Sequence, residues 1–183
     1  MRSYRRPAAR GFTLIELMIT IVIMAILVGV ATPSLLNVVL GNRLGSSANN
    51  LVASAMLARS EAIKRNQQMW MCVSSNGTAC TSGGWEQGWI VTCKTTNNID
   101  CDGAGGNWLV LRQQAAVAGG LRIADTSPGG VTSINFDPSG VGATPASFKV
   151  CRATPSAGSQ ERLVAITATG RAYVTKTSTG ICP

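Results

Sequence analysis

Few residues in this chain are equipped for chemistry. Its 183 residues hold six cysteines, eight carboxylates, sixteen Lys and Arg, and no histidine. Without histidine the chain lacks the commonest general base and the commonest zinc ligand. Ser60 has no imidazole to activate it, and no pairing of nucleophile with base is legible elsewhere. The cysteines form no C-x-x-C pair, which argues against a metal centre. The stretch Asn97-Asn98-Ile99-Asp100-Cys101-Asp102-Gly103 has the oxygen ligands of a calcium loop but not its spacing or closing Glu, and reads better as a surface turn. Trp85 and Trp89 read as core aromatics rather than a stacking platform. The sequence predicts no catalytic residue, no metal site, no cofactor and no enzyme.

One carboxylate stands apart. Glu16 is the only charged side chain from position 12 to position 31, in a run otherwise interrupted only by Thr13 and Thr20. About 20 such residues suffice to span a bilayer as a helix. Arg2, Arg5, Arg6 and Arg10 precede the run. That asymmetry predicts a cytoplasmic N-terminus, with everything after Ala31 carried across the membrane. A carboxylate inside such a run is costly unless it is paired or sits at the interface. An ordinary secretory signal is the competing reading, but Glu16 and the helical pattern continuing past Ala31 weigh against it.

The elements that must position these residues follow from periodicity. Leu44, Ala48, Leu51, Ala55, Ala58 and Ala62 recur at three- and four-residue spacing, with Asn42, Asn49, Arg59 and Lys64 elsewhere around the helix. The pattern predicts a helix from about 12 to 66, kinked at Pro33, with Glu61 and Arg65 paired on its solvent side. Beyond it, β-type runs are predicted at 68–74, 89–94, 107–112, 121–124, 131–136, 148–152, 163–169 and 172–176, separated by turn dipeptides such as Asn76-Gly77 and Asp102-Gly103. The fold class is α+β, an antiparallel sheet packed on the C-terminal half of the helix. Formal charge is +8; the four arginines before the apolar run account for half of it, leaving about +4.

Six cysteines in an exported domain read as disulfides, since the periplasm is oxidising. They allow fifteen connectivities. Sequence neighbours suggest Cys72–Cys80, Cys93–Cys101 and Cys151–Cys182. By loop entropy each short link contributes roughly 2.5 kcal/mol and the long one about 3.5 kcal/mol.

Gly11-Phe12-Thr13-Leu14-Ile15-Glu16 after a short basic leader resembles the processing site of type IV pilins and type II secretion pseudopilins. The resemblance implies a type IV pilin-like fold. It also implies cleavage after Gly11 by prepilin peptidase and N-methylation of Phe12, with Glu16 meeting the N-terminal ammonium of a neighbouring subunit. Pairing opposite charges in low dielectric would fix axial register. The implied organisation is a leader over 1–11, a transmembrane and filament-core helix over 12–40, and a periplasmic domain over 41–183. Partners would be other pilins through the N-terminal helix, and the location the inner membrane before assembly and the pilus or cell surface after it.

Three further stretches narrow the resemblance to the GspH/FimT group: Ala58-Arg59-Ser60-Glu61-Ala62-Ile63, Trp85-Glu86-Gln87-Gly88-Trp89-Ile90-Val91 and Ile134-Asn135-Phe136-Asp137-Pro138-Ser139-Gly140. They imply a minor pilin at the pilus tip that helps prime assembly. The alternative is a minor pseudopilin of type II secretion. Some members of the FimT branch bind DNA through a C-terminal G-R-x-R motif. Gly170 and Arg171 match it, but Tyr173 replaces the second arginine. The candidate DNA contacts are therefore Arg171 and Tyr173, with Lys176, Arg162 and Arg152 nearby. Strand alternation puts Arg171 and Tyr173 on one face and Lys176 on the other, and the bland alternative is a solvated hairpin.

Overall fold

A computed structural model describes residues 11–93, 109–154 and 160–183, with the side chains of 30–36 outside that description. The chain divides into two compact units, one ending at Val39 and the other spanning Leu40–Pro183.

Helix α1 covers Leu14–Arg65, 52 residues. Thr13 starts it: its hydroxyl accepts the Glu16 N–H at 3.3 Å, and its carbonyl accepts the Leu17 N–H at 3.1 Å. Thr-x-x-Glu is a capping-box spacing, so the helix begins two residues later than apolarity alone predicts. Asn66 ends it at φ 51°. There the Gln67 N–H reaches the Ala62 carbonyl and the Asn66 N–H the Ile63 carbonyl, a Schellman close. The kink expected at Pro33 falls where side chains lie outside the described residues.

All eight expected strands form. They are β1 (Met69–Val73), β2 (Gly88–Cys93), β3 (Leu109–Ala115), β4 (Leu121–Asp125), β5 (Ser133–Phe136), β6 (Ala146–Arg152), β7 (Glu161–Ile166) and β8 (Ala172–Thr177). They make two four-stranded sheets, β3-β2-β1-β5 and β4-β6-β7-β8, rather than one. Every pairing is antiparallel. The physical reason is width. Eight strands side by side would extend roughly 34 Å, far more than one helix about 10 Å across can cover. Splitting the strands lets both inner faces meet the same helical stripe.

That stripe is Leu40, Leu44, Ala48, Leu51, Ala55, Ala58 and Ala62, all buried. Its alanines allow close approach, and the large side chains come from the sheets and the short helical turn before β2: Met69, Met71, Trp85, Trp89, Phe136 and Phe148 share one core cluster with the helix. Trp85 stacks at a tilt on Phe148, ring centres 4.7 Å apart. Each buried indole N–H finds an acceptor: Trp85 the Val131 carbonyl at 2.7 Å, Trp89 the Ser54 hydroxyl at 3.0 Å. Ser54 also donates to the Asn50 carbonyl, so no buried hydroxyl is left idle there.

Cys72–Cys80 and Cys151–Cys182 are bonded, each with Cα atoms 5.6 Å apart. Cys93 is also disulfide-bonded; the expected partner, Cys101, lies outside the described residues. Cys72 and Cys151 are buried but outside the central cluster, so each staples the outer side of one sheet.

Candidate functional site

Three regions carry the residues singled out by the sequence. The first is the start of α1. Thirteen large apolar side chains between positions 12 and 28 are exposed, from 51% at Ile23 to 79% at Phe12. Gly11, Phe12 and Glu16 are exposed as well. Glu16 occupies the first helical turn, where a carboxylate faces the positive end of the helix dipole. The Thr13-x-x-Glu16 spacing therefore gives Glu16 a local role besides any pairing between subunits, and that signal was present in the sequence. Among the described residues no helix is long and apolar enough to cross a membrane; the apolar run expected to do so continues into positions 30–36.

The second region is the far end of α1. Arg59 Nε donates to the Gly140 carbonyl at 2.8 Å. Gly140 and Gly170, both at positive φ, leave room for this arm: a Cβ on Gly170 would lie 3.2 Å from Arg59 Cδ, and one on Gly140 2.8 Å from Ile63 Cδ1. Arg59 thus ties the end of α1 to the β5–β6 loop and packs beside Gly170 of the β7–β8 turn, a role that helical periodicity did not reveal. Beside it, Arg65 Nε holds Glu61 at 2.6 Å and Lys64 approaches at 3.7 Å. The hydrogen bond from Arg65 holds the Glu61 carboxyl below its ordinary range, aided by the charges of both cations.

The third region is the basic end of the chain. Arg171 and Tyr173 are exposed on the outer side of β8, where Tyr173 opposes Ala165. Arg162 and Lys176 oppose each other across β7 and β8, one residue out of phase with Tyr173, and so belong to the other face. Arg162 is half-buried and donates to the Gln160 and Glu161 carbonyls. Arg152 ends β6, opposite Leu121 on β4. The five candidate DNA contacts therefore split: Tyr173 faces outward with Arg171 exposed just before it, while Arg162 and Lys176 share the other face.

The C-terminal tail lies on that outer side. Arg122 reaches the Pro183 carbonyl at 2.9 Å, Lys149 the Ile181 carbonyl at 3.0 Å, and Thr179 donates to buried Glu161 at 3.0 Å. Among the described residues no cluster of three metal-ligating side chains occurs.

A bare apolar helix start, followed by a disulfide-stapled β domain built on the rest of the helix, defines the class of type IV pilin-like subunits. Two family models match: type II transport protein GspH over residues 47–170 and the prokaryotic N-terminal methylation motif over residues 6–32. The chain belongs to the GspH family. The type IV minor pilin FimU of Pseudomonas aeruginosa superposes with a TM-score of 0.53 at 21% identity, covering 73% of this chain and 89% of its own. The minor pseudopilin EpsH from the Vibrio cholerae type 2 secretion system gives 0.51 at 13% identity, covering 76% and 99%. At these identities the likeness is one of fold. No curated protein sequence matches the chain.

Proposed function

We propose that this chain is a minor type IV pilin. It would be cut after Gly11, methylated at Phe12, held in the inner membrane by its N-terminal helix, and then drawn into the filament near its tip, where it helps prime assembly. The observation that carries this reading is the exposed apolar start of α1 with a single carboxylate in it. Such a surface needs either lipid or other helices around it, and Glu16 needs a cation when water is excluded. The test is deletion of the gene, complemented by wild type, Glu16→Leu or Gly11→Val. Twitching, exoprotein secretion and transformation are scored separately. Twitching should fall on deletion while secretion persists, wild type should restore it, and Gly11→Val should accumulate uncut precursor. Glu16→Leu should be cut normally yet fail to restore twitching.

A second reading, a minor pseudopilin of type II secretion, is favoured by the family description and the EpsH likeness. Lost secretion with intact pili would select it. Uptake of DNA has narrower support, the shared exposure of Arg171 and Tyr173, and the transformation score addresses it.

A further inference from the structure

The two edges of the second sheet are not equivalent. β4 sits against the short helical turn at Trp85–Gln87. In the first sheet, edge strand β5 is covered by Thr144, whose N–H reaches the Asn135 carbonyl. β8 is also the last strand of its sheet, so alternate N–H and C=O groups along Ala172–Thr177 point outward. Among the described residues none of these groups makes a backbone hydrogen bond to another element. Beside β8 runs an open groove of about 570 Å³, lined by Gly41, Asn42, Asn49, Asn50, Arg162 and Val174.

The groove's charge is unbalanced. Arg162 lines it, and Lys176 stands directly opposite Arg162 across the strand pair. Like charges in register repel, yet among the described residues no carboxylate pairs with either. The other lining groups are carboxamides, the Ser46 hydroxyl, glycine backbone and one valine; no aromatic ring lines the groove, and Tyr173 faces away from it.

We propose that this groove is a fifth-strand slot, which receives an extended acidic segment of a neighbouring subunit by addition to β8. The inference rests on the filament reading above for the source of the segment. Free edge groups call for another polypeptide backbone, the mode in which an added strand gains affinity from main-chain hydrogen bonds. The opposed cations call for a carboxylate on the side chains facing the groove. Asn42 and Asn49, exposed and seven residues apart on one side of α1, suit a strand whose inward residues are hydroxyls or amides rather than large and apolar.

The test needs no filament, so its failure is distinct from failure of the pilin reading. Full-length chain in detergent is mixed with a capped heptapeptide alternating threonine and valine, with one central glutamate on the threonine side. Amide exchange is then followed by mass spectrometry. Exchange along Ala172–Thr177 should slow by about tenfold at saturation, while β5 is unchanged. The same peptide N-methylated at alternate residues along one edge should give no protection, as should one carrying lysine for glutamate. Arg162→Ala should weaken binding several-fold with the melting profile retained. Absence of protection at millimolar peptide overturns the slot, and so does equal protection by the N-methylated peptide. Protection of β8 by duplex DNA but not by the peptide would reassign the groove to nucleic acid.

Discussion

At the scale of single residues, Arg59 is the most consequential polar side chain outside the helix start. Its bond to the Gly140 carbonyl joins α1 to the β5–β6 loop, a link that no strand pairing makes. Arg59→Ala should cost about 1–2 kcal/mol, the price of one charge-assisted hydrogen bond at a half-buried carbonyl. For a chain of this length that lowers Tm by about 3–6 °C. Gly140→Ala should cost a similar ~1–2 kcal/mol for a different reason: φ is +76° and the new methyl would press on Ile63. Thermal unfolding of both variants and the double variant checks this, and a sum well below additive would show that they break the same junction. Glu61 sets a pH dependence. Its folded pKa is lowered by Arg65, so its contribution is present above the ordinary carboxylate range and is lost as pH falls through the folded value. The gap in Tm between wild type and Glu61→Gln should hold steady above the ordinary carboxylate range and close as pH falls below it. The Glu61–Arg65 pair was legible because i,i+4 spacing is local. Arg59 was not, because its partner lies 81 positions away.

At the scale of elements, the outer faces are held by covalent staples and the inner faces by the core, and these contribute unequally. Opening Cys151–Cys182, with a separation of 31, should cost about 3.5 kcal/mol, against about 2.5 kcal/mol for Cys72–Cys80 with a separation of 8. Paired Cys→Ser variants unfolded in denaturant should show that order, and a reversed order would mean the tail contributes little beyond its cross-link. The split of the basic residues yields a second expectation. With Tyr173 on one face and Arg162 and Lys176 on the other, few phosphates can be contacted at once. Any binding of duplex DNA should therefore have a shallow salt slope of about −1 to −2, measured by titration at several salt concentrations. A slope near −5 would mean both faces engage. The strands themselves were readable from alternation and turn dipeptides, as was the opposite facing of Tyr173 and Lys176. Their division into two sheets was not. Pairing of β4 with β6 and of β5 with β1 is a long-range choice, made by what one helical stripe can cover rather than by any local pattern.

At the scale of the whole molecule, one unit has a core, and among the described residues the other buries no large apolar side chain. Leu40–Pro183 buries most of its core in a single cluster, whereas the large apolar side chains at 12–28 stay exposed. Removing those thirteen from water is worth on the order of 20 kcal/mol. Placing one carboxylate in a bilayer costs only ~3 kcal/mol on insertion scales. The apolar term wins by a wide margin, so Glu16 does not keep the helix in water. Two outcomes should separate these contributions. Chain beginning at Leu40 should be soluble and monomeric without detergent and keep the near-ultraviolet signal of buried Trp85 and Trp89. Full-length chain carrying Glu16→Leu should partition into membranes at least as strongly as wild type, because the change only removes a desolvation cost, while losing recovery in sheared filaments. Sedimentation of the shortened chain, membrane flotation of the full-length pair and immunodetection in filament fractions measure these in turn. If Glu16→Leu were recovered in filaments at the wild-type level, the carboxylate would act only as the first-turn acid of α1, and axial register would have to come from the β domain.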